Sequence, residues 1–335
     1  MDNKKIVVIG GGTGTYTVLS GLKNHPVDLS AIVTMADDGG STGVLRHELG
    51  VLPPGDVRQC LVALSEAPET LRDLFLYRFE HGALAGHNFG NLFLSAMEKV
   101  TGHFEDAVLT AGKVLNIKGR VIPVSTEPMV LMAEYEDGRV VVGEHNIDAG
   151  GTLSVPEPTL SVGGKIRKIF LEHEARASFA AVDAIMGADL VILSAGDLYT
   201  SLIPNLLATG IIEALRRTPA KVAYIVNLMT KRGETDGFGA YDFVAELEKY
   251  LGPNMIDIVC VNTGIPTPEM QALYIEEDER VVSPDLEKFA GKRIKVVSGD
   301  FVSQIVFEKN ATDKLRRSLL RHDSEKLAKT FLDLI

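Results

Sequence analysis

Several kinds of protein are excluded by what this chain lacks. It has two cysteines, Cys60 and Cys260, with no paired spacing, so neither a disulfide framework nor a zinc site is indicated. Cys60, in DVRQCLVAL, reads as a small core residue of a helix. No apolar run approaches the roughly 20 residues of a membrane helix. The apolar stretch 6–9 is too short for a secretory signal core and passes straight into glycines. A soluble, cytoplasmic protein with no membrane partner is therefore expected. Positive charge is the minority sign, 34 Lys and Arg against 45 Asp and Glu for a formal net charge of −11, which argues against a general nucleic-acid binder and leaves room only for a local basic pocket. No triad or metal motif establishes catalysis. Nor does Gly-Lys-Ser/Thr follow the glycine-rich start, as a Walker-type nucleoside triphosphatase requires.

What is present is organised around residues 4–14, KKIVVIGGGTG. Ile6, Val7, Val8 and Ile9 are consecutive and apolar, the pattern of a parallel strand buried on both faces. Gly10, Gly11, Gly12, Thr13 and Gly14 follow at once, and then Tyr16, Val18, Leu19 and Leu22 at helical spacing. A strand, a glycine turn and a helix start form a phosphate cradle, because the bare backbone brings N–H groups close to an anion and the helix end adds donors. The usual dinucleotide fingerprint is broken, since its sixth position is Thr15.

A second strand over 29–33 runs into TMADDGGSTG, where Asp37, Asp38, Ser41 and Thr42 make a polar loop expected beside the first. Carboxylates there can accept ribose hydroxyls, hold Mg²⁺ beside phosphates, or act as a base. Asp56, after Pro53, Pro54 and Gly55, reads as a helix N-cap and as a second candidate catalytic or metal-binding acid. Arg58 in the following turn calls for an anionic partner, because the helix dipole disfavours a cation there. Residues 69–116 read as helical throughout, with His87, Asn88 and Asn91 clustered where a helix opens.

From residue 119 the periodicity becomes that of strands: RVIPV, a hairpin turning at Asp137 and Gly138, and KIRKIFLEH at 165–173, around a loop with Gly150, Gly151, Pro156 and Pro158. Apolar strands then recur at 189–193, 222–226, 256–261 and 294–297, each ending in a loop of small polar residues. Such loops cluster at the carboxyl edge of a doubly wound sheet. They bring in Tyr199 and Thr200, then Asn227, Thr230 and Lys231, with Tyr199 suited to stacking on a base or sugar. The tail, 311–335, reads as two short amphipathic helices, Leu315, Leu319, Leu320, Leu327 and Leu332 apolar and Lys314, Arg316 and Arg317 solvated. A chain of 335 residues with 45% hydrophobic content can bury a full core. The expected architecture is α/β, a single doubly wound Rossmann-like domain over 1–335 with a mainly parallel sheet, a helical insertion at 69–116 and an antiparallel β insertion at 117–175.

Six blocks in one order, GGGTG at 10–14, DDGGSTG at 37–43, PPGDVRQCL at 53–61, HNFGN at 87–91, LYTSLIPNLL at 198–207 and NLMTKRGETDG at 227–237, resemble the family that joins 2-phospho-L-lactate transferases to bacterial gluconeogenesis factors. The gluconeogenesis-factor branch is the more similar. That resemblance implies a cytoplasmic regulator that binds a nucleotide sugar such as UDP-N-acetylglucosamine and is needed for cell shape on gluconeogenic carbon sources; a homo-oligomer is expected separately, with the amphipathic tail helices as candidate contacts. The 10–14 turn would hold the diphosphate, Asp37 and Asp38 the ribose or a metal, and Asn227, Thr230 and Lys231 the far end of the ligand; UDP, GDP and ADP sugars all satisfy the spacing. The transferase branch implies instead an Mg²⁺-dependent transfer of a phospholactyl group, with Asp38 and Asp56 at the positions of acids near its metal and acceptor. An NAD-dependent dehydrogenase is disfavoured by the broken fingerprint and by Asp37, which falls later than the roughly 20 residues expected after the glycines.

Overall fold

The computed structural model describes residues 3–149, 164–275, 278–304 and 319–335. The chain opens with β1 (Lys4–Gly10), α1 (Gly12–Leu22) and β2 (Val27–Val33), then passes through α2 (Gly40–Leu49), α3 (Gly55–Leu64), α4 (Glu69–Leu76), α5 (Phe89–Thr101) and α6 (Phe104–Val114) before β3 (Arg120–Pro123). A hairpin of β4 (Leu131–Tyr135) and β5 (Val140–Val142) leads into the short helix α7 (Glu144–Asp148), and β6 (Ile166–Leu171) follows. Alternation then resumes with α8 (Phe179–Met186), β7 (Leu190–Leu193), α9 (Ile203–Leu207), α10 (Ile211–Arg217), β8 (Lys221–Ile225), α11 (Ala240–Leu251), β9 (Ile258–Asn262), α12 (Pro268–Ile275), β10 (Lys295–Gly299) and α13 (Ser324–Leu332).

The main sheet has seven strands in the order β10-β9-β8-β7-β1-β2-β3, and every neighbouring pair is parallel. The continuous apolar run of β1 is explained by its place at the centre. Ile6, Val7, Val8 and Ile9 are buried and pair with residues 29–32 of β2 on one side and 190–193 of β7 on the other. Each such aliphatic side chain contributes about 1.5–3 kcal/mol when fully buried. Helices cover the sheet, with α1 packed between α3 and α13. A Cβ at Gly21 would overlap the carbonyl of Ser324, so the α1–α13 approach depends on that glycine.

RVIPV, expected in the antiparallel insertion, belongs instead to the main sheet. As β3 it pairs in parallel with β2 from Ser30–Arg120 to Val33–Pro123. A proline is tolerated there because β3 is an edge strand, where the missing N–H breaks no central ladder. The antiparallel part starts at β4 and has the order β5-β4-β6, with its hairpin turn at Gly138, φ +86°. Residues 77–88, expected to be helical, mostly form a loop closed by Phe79 N to His87 O (2.9 Å) and Gly86 N to Phe79 O (2.8 Å). Gly150, Gly151, Pro156 and Pro158 lie outside the described residues, as do Lys314, Leu315, Arg316 and Arg317. Leu327 is buried on α13, while Leu319 and Leu320 precede that helix. No helix among the described residues is long and apolar enough to cross a membrane.

From β1 the first half of the chain proceeds to β2 and β3, and the second half builds β7 to β10 on the opposite side. The loops leaving β1 and β7 therefore diverge, which opens a crevice at the carboxyl edge, where open α/β sheets bind ligands.

Candidate functional site

The floor of that crevice is the glycine turn. Gly11 is extended and precedes α1 with no side chain capping the helix, and Gly12, at φ +65°, takes a left-handed turn that suits glycine. The first-turn N–H groups of α1 have no partner within the helix and so remain available to an anion. Gly14 lies directly against the loop after β7, where a Cβ would overlap the carbonyl oxygen of Ala195. Side chains bind the strand ends together. Thr15 Oγ1 and Ser194 Oγ are 2.7 Å apart, and Asn227, after β8, accepts from Gly196 N (3.3 Å) and donates to Gly196 O (2.7 Å).

The loop after β2 supplies the adjoining wall. Asp37 accepts from Gly39 N (3.0 Å) and from the Thr42 side chain, and burial pushes its carboxyl above the ordinary range. Ser41 and Thr42, in the first turn of α2, line the cleft beside it. Asp56 also lines the cleft, although it does not cap α3. Pro54 occupies the cap position, and Asp56 stands one residue inside the helix, accepting from Gln59 Nε2 at 3.3 Å. A Cβ at Gly11 would overlap Asp56 Oδ2, so this carboxylate abuts the cradle.

The opposite wall is formed by Lys231 after β8, Asp197 after β7 and α7 from the antiparallel hairpin. The buried Lys231 ammonium meets Asp148 of α7, Asp197 Oδ2 (2.9 Å) and Glu234 Oε1 (3.1 Å). Burial alone would lower the Lys231 pKa, but Asp197, Glu234 and Asp148 outweigh it and hold it well above its ordinary value. An ammonium has three donors, and three carboxylates face this one. Glu234 is also shifted upward, but here burial is the largest cause and Lys231 opposes it. Burial, with help from Asp197 and Asp148, pushes its carboxyl up to about 8.

Of the residues proposed from sequence, Gly11, Gly12, Thr13, Gly14, Asp37, Ser41, Thr42, Asp56, Asn91, Thr200, Asn227, Thr230 and Lys231 converge on one cleft. The space between its walls, open mouth included, is about 1560 Å³. Gly10, Asp38, His87, Asn88 and Tyr199 do not line it. Asp38 instead caps α7, accepting from His145 N (2.6 Å) and Glu144 N (3.2 Å). His87 Nδ1 lies 3.1 Å from Ser41 Oγ, and Asn88 caps α5 by accepting from Asn91 N at 3.3 Å. Tyr199 is 1% exposed and its hydroxyl is bonded to Glu246 of α11, so it cannot stack on a ligand. The residues 198–202 form a π-helical turn that directs Tyr199 into the core and Thr200 to the cleft.

Sequence reasoning did not identify Glu144, His145, Asp148, Asp197, Arg321 or His322 as lining residues. Asp197 had a signal, since it follows Ser194 and Gly196 at the end of an apolar strand. The others come from the hairpin and the tail, which carry no local motif. Burial lowers the His322 pKa to about 4, partly opposed by its bond to the Val226 backbone. The unfolded chain protonates this imidazole near its ordinary 6.5. The stabilisation from keeping it neutral is thus full above pH 6.5 and is lost as pH falls through about 4. His322→Gln is expected to lose less stability between pH 7 and pH 4 than the parent chain, as read by urea denaturation at each pH.

An Mg²⁺ ion in this cleft would be held by Asp56 together with ligand phosphates rather than by a cage of protein groups. Asp38 is spent on α7, and no group of three or more His, Cys, Asp or Glu among the described residues stands in position to hold a metal ion.

Fold and cleft together define a class: a doubly wound α/β protein with a glycine turn and an open cleft at the switch point of its sheet. Residues 6–302 match the family of 2-phospho-L-lactate transferase CofD, and the chain belongs to that family. It is 43% identical over 333 residues to the gluconeogenesis factor of Bacillus subtilis (strain 168), covering 99% of this chain and 98% of that protein. It is 38% identical over 335 residues to the gluconeogenesis factor of Halalkalibacterium halodurans, covering 99% and 97%. A crystal structure of a UPF0052 family member from Bacillus halodurans is similar with a TM-score of 0.89 and 38% identity over 99% of both chains. The expected family and fold class are therefore borne out, and the general kind is that of the gluconeogenesis factors.

Proposed function

We propose that the protein is a cytoplasmic regulator of cell shape on gluconeogenic carbon sources that works by binding a nucleotide sugar of the UDP-N-acetylglucosamine type. The observation that carries this reading is the cleft between the 11–14 turn and the Ala195 loop, where helix-start N–H groups suit a diphosphate and side chains of three strand ends surround the space beyond it. Asn227 and Thr200 offer hydrogen-bonding groups to the rest of the ligand. A thermal-shift titration of the full chain tests it. UDP-N-acetylglucosamine at 100 times its dissociation constant is expected to add about 2.7 kcal/mol of stability, without Mg²⁺ and without turnover. No shift with any UDP-sugar would overturn the reading.

One observation favours a second reading, Mg²⁺-dependent phosphoester-group transfer: the Asp56 carboxylate abuts the cradle, where a base or an acceptor-positioning group of a transferase would stand. That reading requires that, with a deazaflavin alcohol present, the acceptor hydroxyl take the phospholactyl group of a nucleotide-activated donor and the nucleotide leave, a release lost in Asp56→Asn. Donor binding without any release would reject it.

A further inference from the structure

A regulator that binds a nucleotide sugar must distinguish it from the many other nucleoside phosphates in the cell. Lys231 is the cation that sequence reasoning assigned to the far end of the ligand, yet its ammonium is engaged by Asp148, Asp197 and Glu234, drawn from α7, the loop after β7 and its own loop. Glu234, its carboxyl raised to about 8 by burial, is mostly protonated at neutral pH, so the local balance is one cation against the carboxylates of Asp148 and Asp197, with Glu144 of α7 also on the wall. The other lining cations, Arg58, Arg78 and Arg321, come from different elements. Independently of this cluster, Thr200, which lines the cleft, is 1% exposed, and its Oγ1 has no hydrogen-bond partner among the described residues. A buried hydroxyl without a partner costs stability unless a ligand supplies one.

We infer that the sector walled by Asp148, Asp197 and Thr200 is a charge filter, which accepts a neutral, hydroxyl-bearing group of the ligand and rejects a group carrying an additional negative charge. The inference rests on the nucleotide-sugar reading and sharpens it to nucleoside diphosphates joined to neutral sugars. A sugar hydroxyl donates to a carboxylate that already spends one oxygen on Lys231, since a carboxylate accepts several hydrogen bonds, and Thr200 both donates and accepts. A carboxylate or third phosphate in the same place meets acceptors rather than donors at Asp148 and Asp197 and faces like charge across a poorly solvated wall.

Isothermal titration of the full chain with UDP-glucose and with UDP-glucuronate, which differ by a hydroxymethyl and a carboxylate, tests this. UDP-glucose is expected to bind at least about 10-fold more tightly. In Asp197→Asn and Asp148→Asn, checked for folding by circular dichroism, the ratio is expected to fall towards unity, mainly through tighter binding of the uronate. Equal affinities in the parent chain would overturn the filter and leave the nucleotide-sugar reading standing. Binding of neither would overturn both. A ratio unchanged in the folded variants would remove these two carboxylates from the selection. The comparison in the parent chain is decisive whether or not either variant folds.

Discussion

Gly14→Ala is expected to destabilise the protein by about 1–3 kcal/mol, the range for overpacking, and to abolish ligand binding at the cleft. Helix propensity alone predicts the opposite sign, because alanine is better than glycine inside a helix by about 1 kcal/mol. The added methyl, however, would overlap the carbonyl of Ala195. Neither side can yield easily. Ala195 follows β7, which is locked to β1 from Ile6–Leu190 to Ile9–Leu193 and extended by Ser194 N to Ile9 O at 2.9 Å. The residue after Gly14 is held in turn by the Thr15–Ser194 contact. Relief requires α1 to lift from the sheet, which moves the cradle. Urea denaturation reads the loss as a lower midpoint at unchanged slope. Gly12→Ala is the control, since a Cβ there meets only Ser201 Oγ at 3.9 Å and its cost is confined to the φ of +65°, about 1–2 kcal/mol.

Lys231→Met is expected to cost about 3–5 kcal/mol, as for removing one partner of a buried ion pair, because Asp148, Asp197 and Glu234 then share a buried space without their cation. The loss should grow with pH. Glu234 already has its carboxyl raised to about 8 from an ordinary 4.5 by burial and by Asp197 and Asp148, with Lys231 opposing. A carboxyl raised on folding gives stability that is full below the unfolded value and lost as pH rises through the folded one. Removing the opposing cation leaves the variant near parental stability at pH 5 and weakest at pH 9. Thermal unfolding at pH 5, 7 and 9 measures the trend, and Asp197→Asn in the same chain should restore part of the loss. A deficit independent of pH would mean that packing, not charge, sets the role of Lys231.

The parts of this molecule that sequence made legible are those in which local chemistry and long-range position agree. A fully buried central strand must be a continuous apolar run, and a backbone that approaches a neighbouring carbonyl must be glycine, so β1 and its turn are readable without a structure. The failures share a different cause. Asp37 and Asp38 are adjacent and chemically identical, yet one bonds to its own loop and the other to the start of a helix 106 residues away. Tyr199 follows an apolar strand as a base-stacking residue would, but its π turn, closed by Leu202 N to Asp197 O at 3.1 Å, rotates it inward. RVIPV has the composition of any short strand, and only the helical crossover that precedes it delivers it to the edge of the parallel sheet. The acidic wall depended on α7, whose partners lie in two distant loops.

Those two attachments have a mechanical meaning. Asp38 extends from the half of the sheet built by β1 to β3, Lys231 from the half built by β7 to β10, and α7 is fastened to the first at its N-terminus and to the second at its C-terminal residue. A helix of five residues thus acts as a tie-beam across the two halves at the place where their loops part. The span of the cleft and the seating of the antiparallel sheet become one mechanical variable: whatever widens the first must strain or unfasten the second.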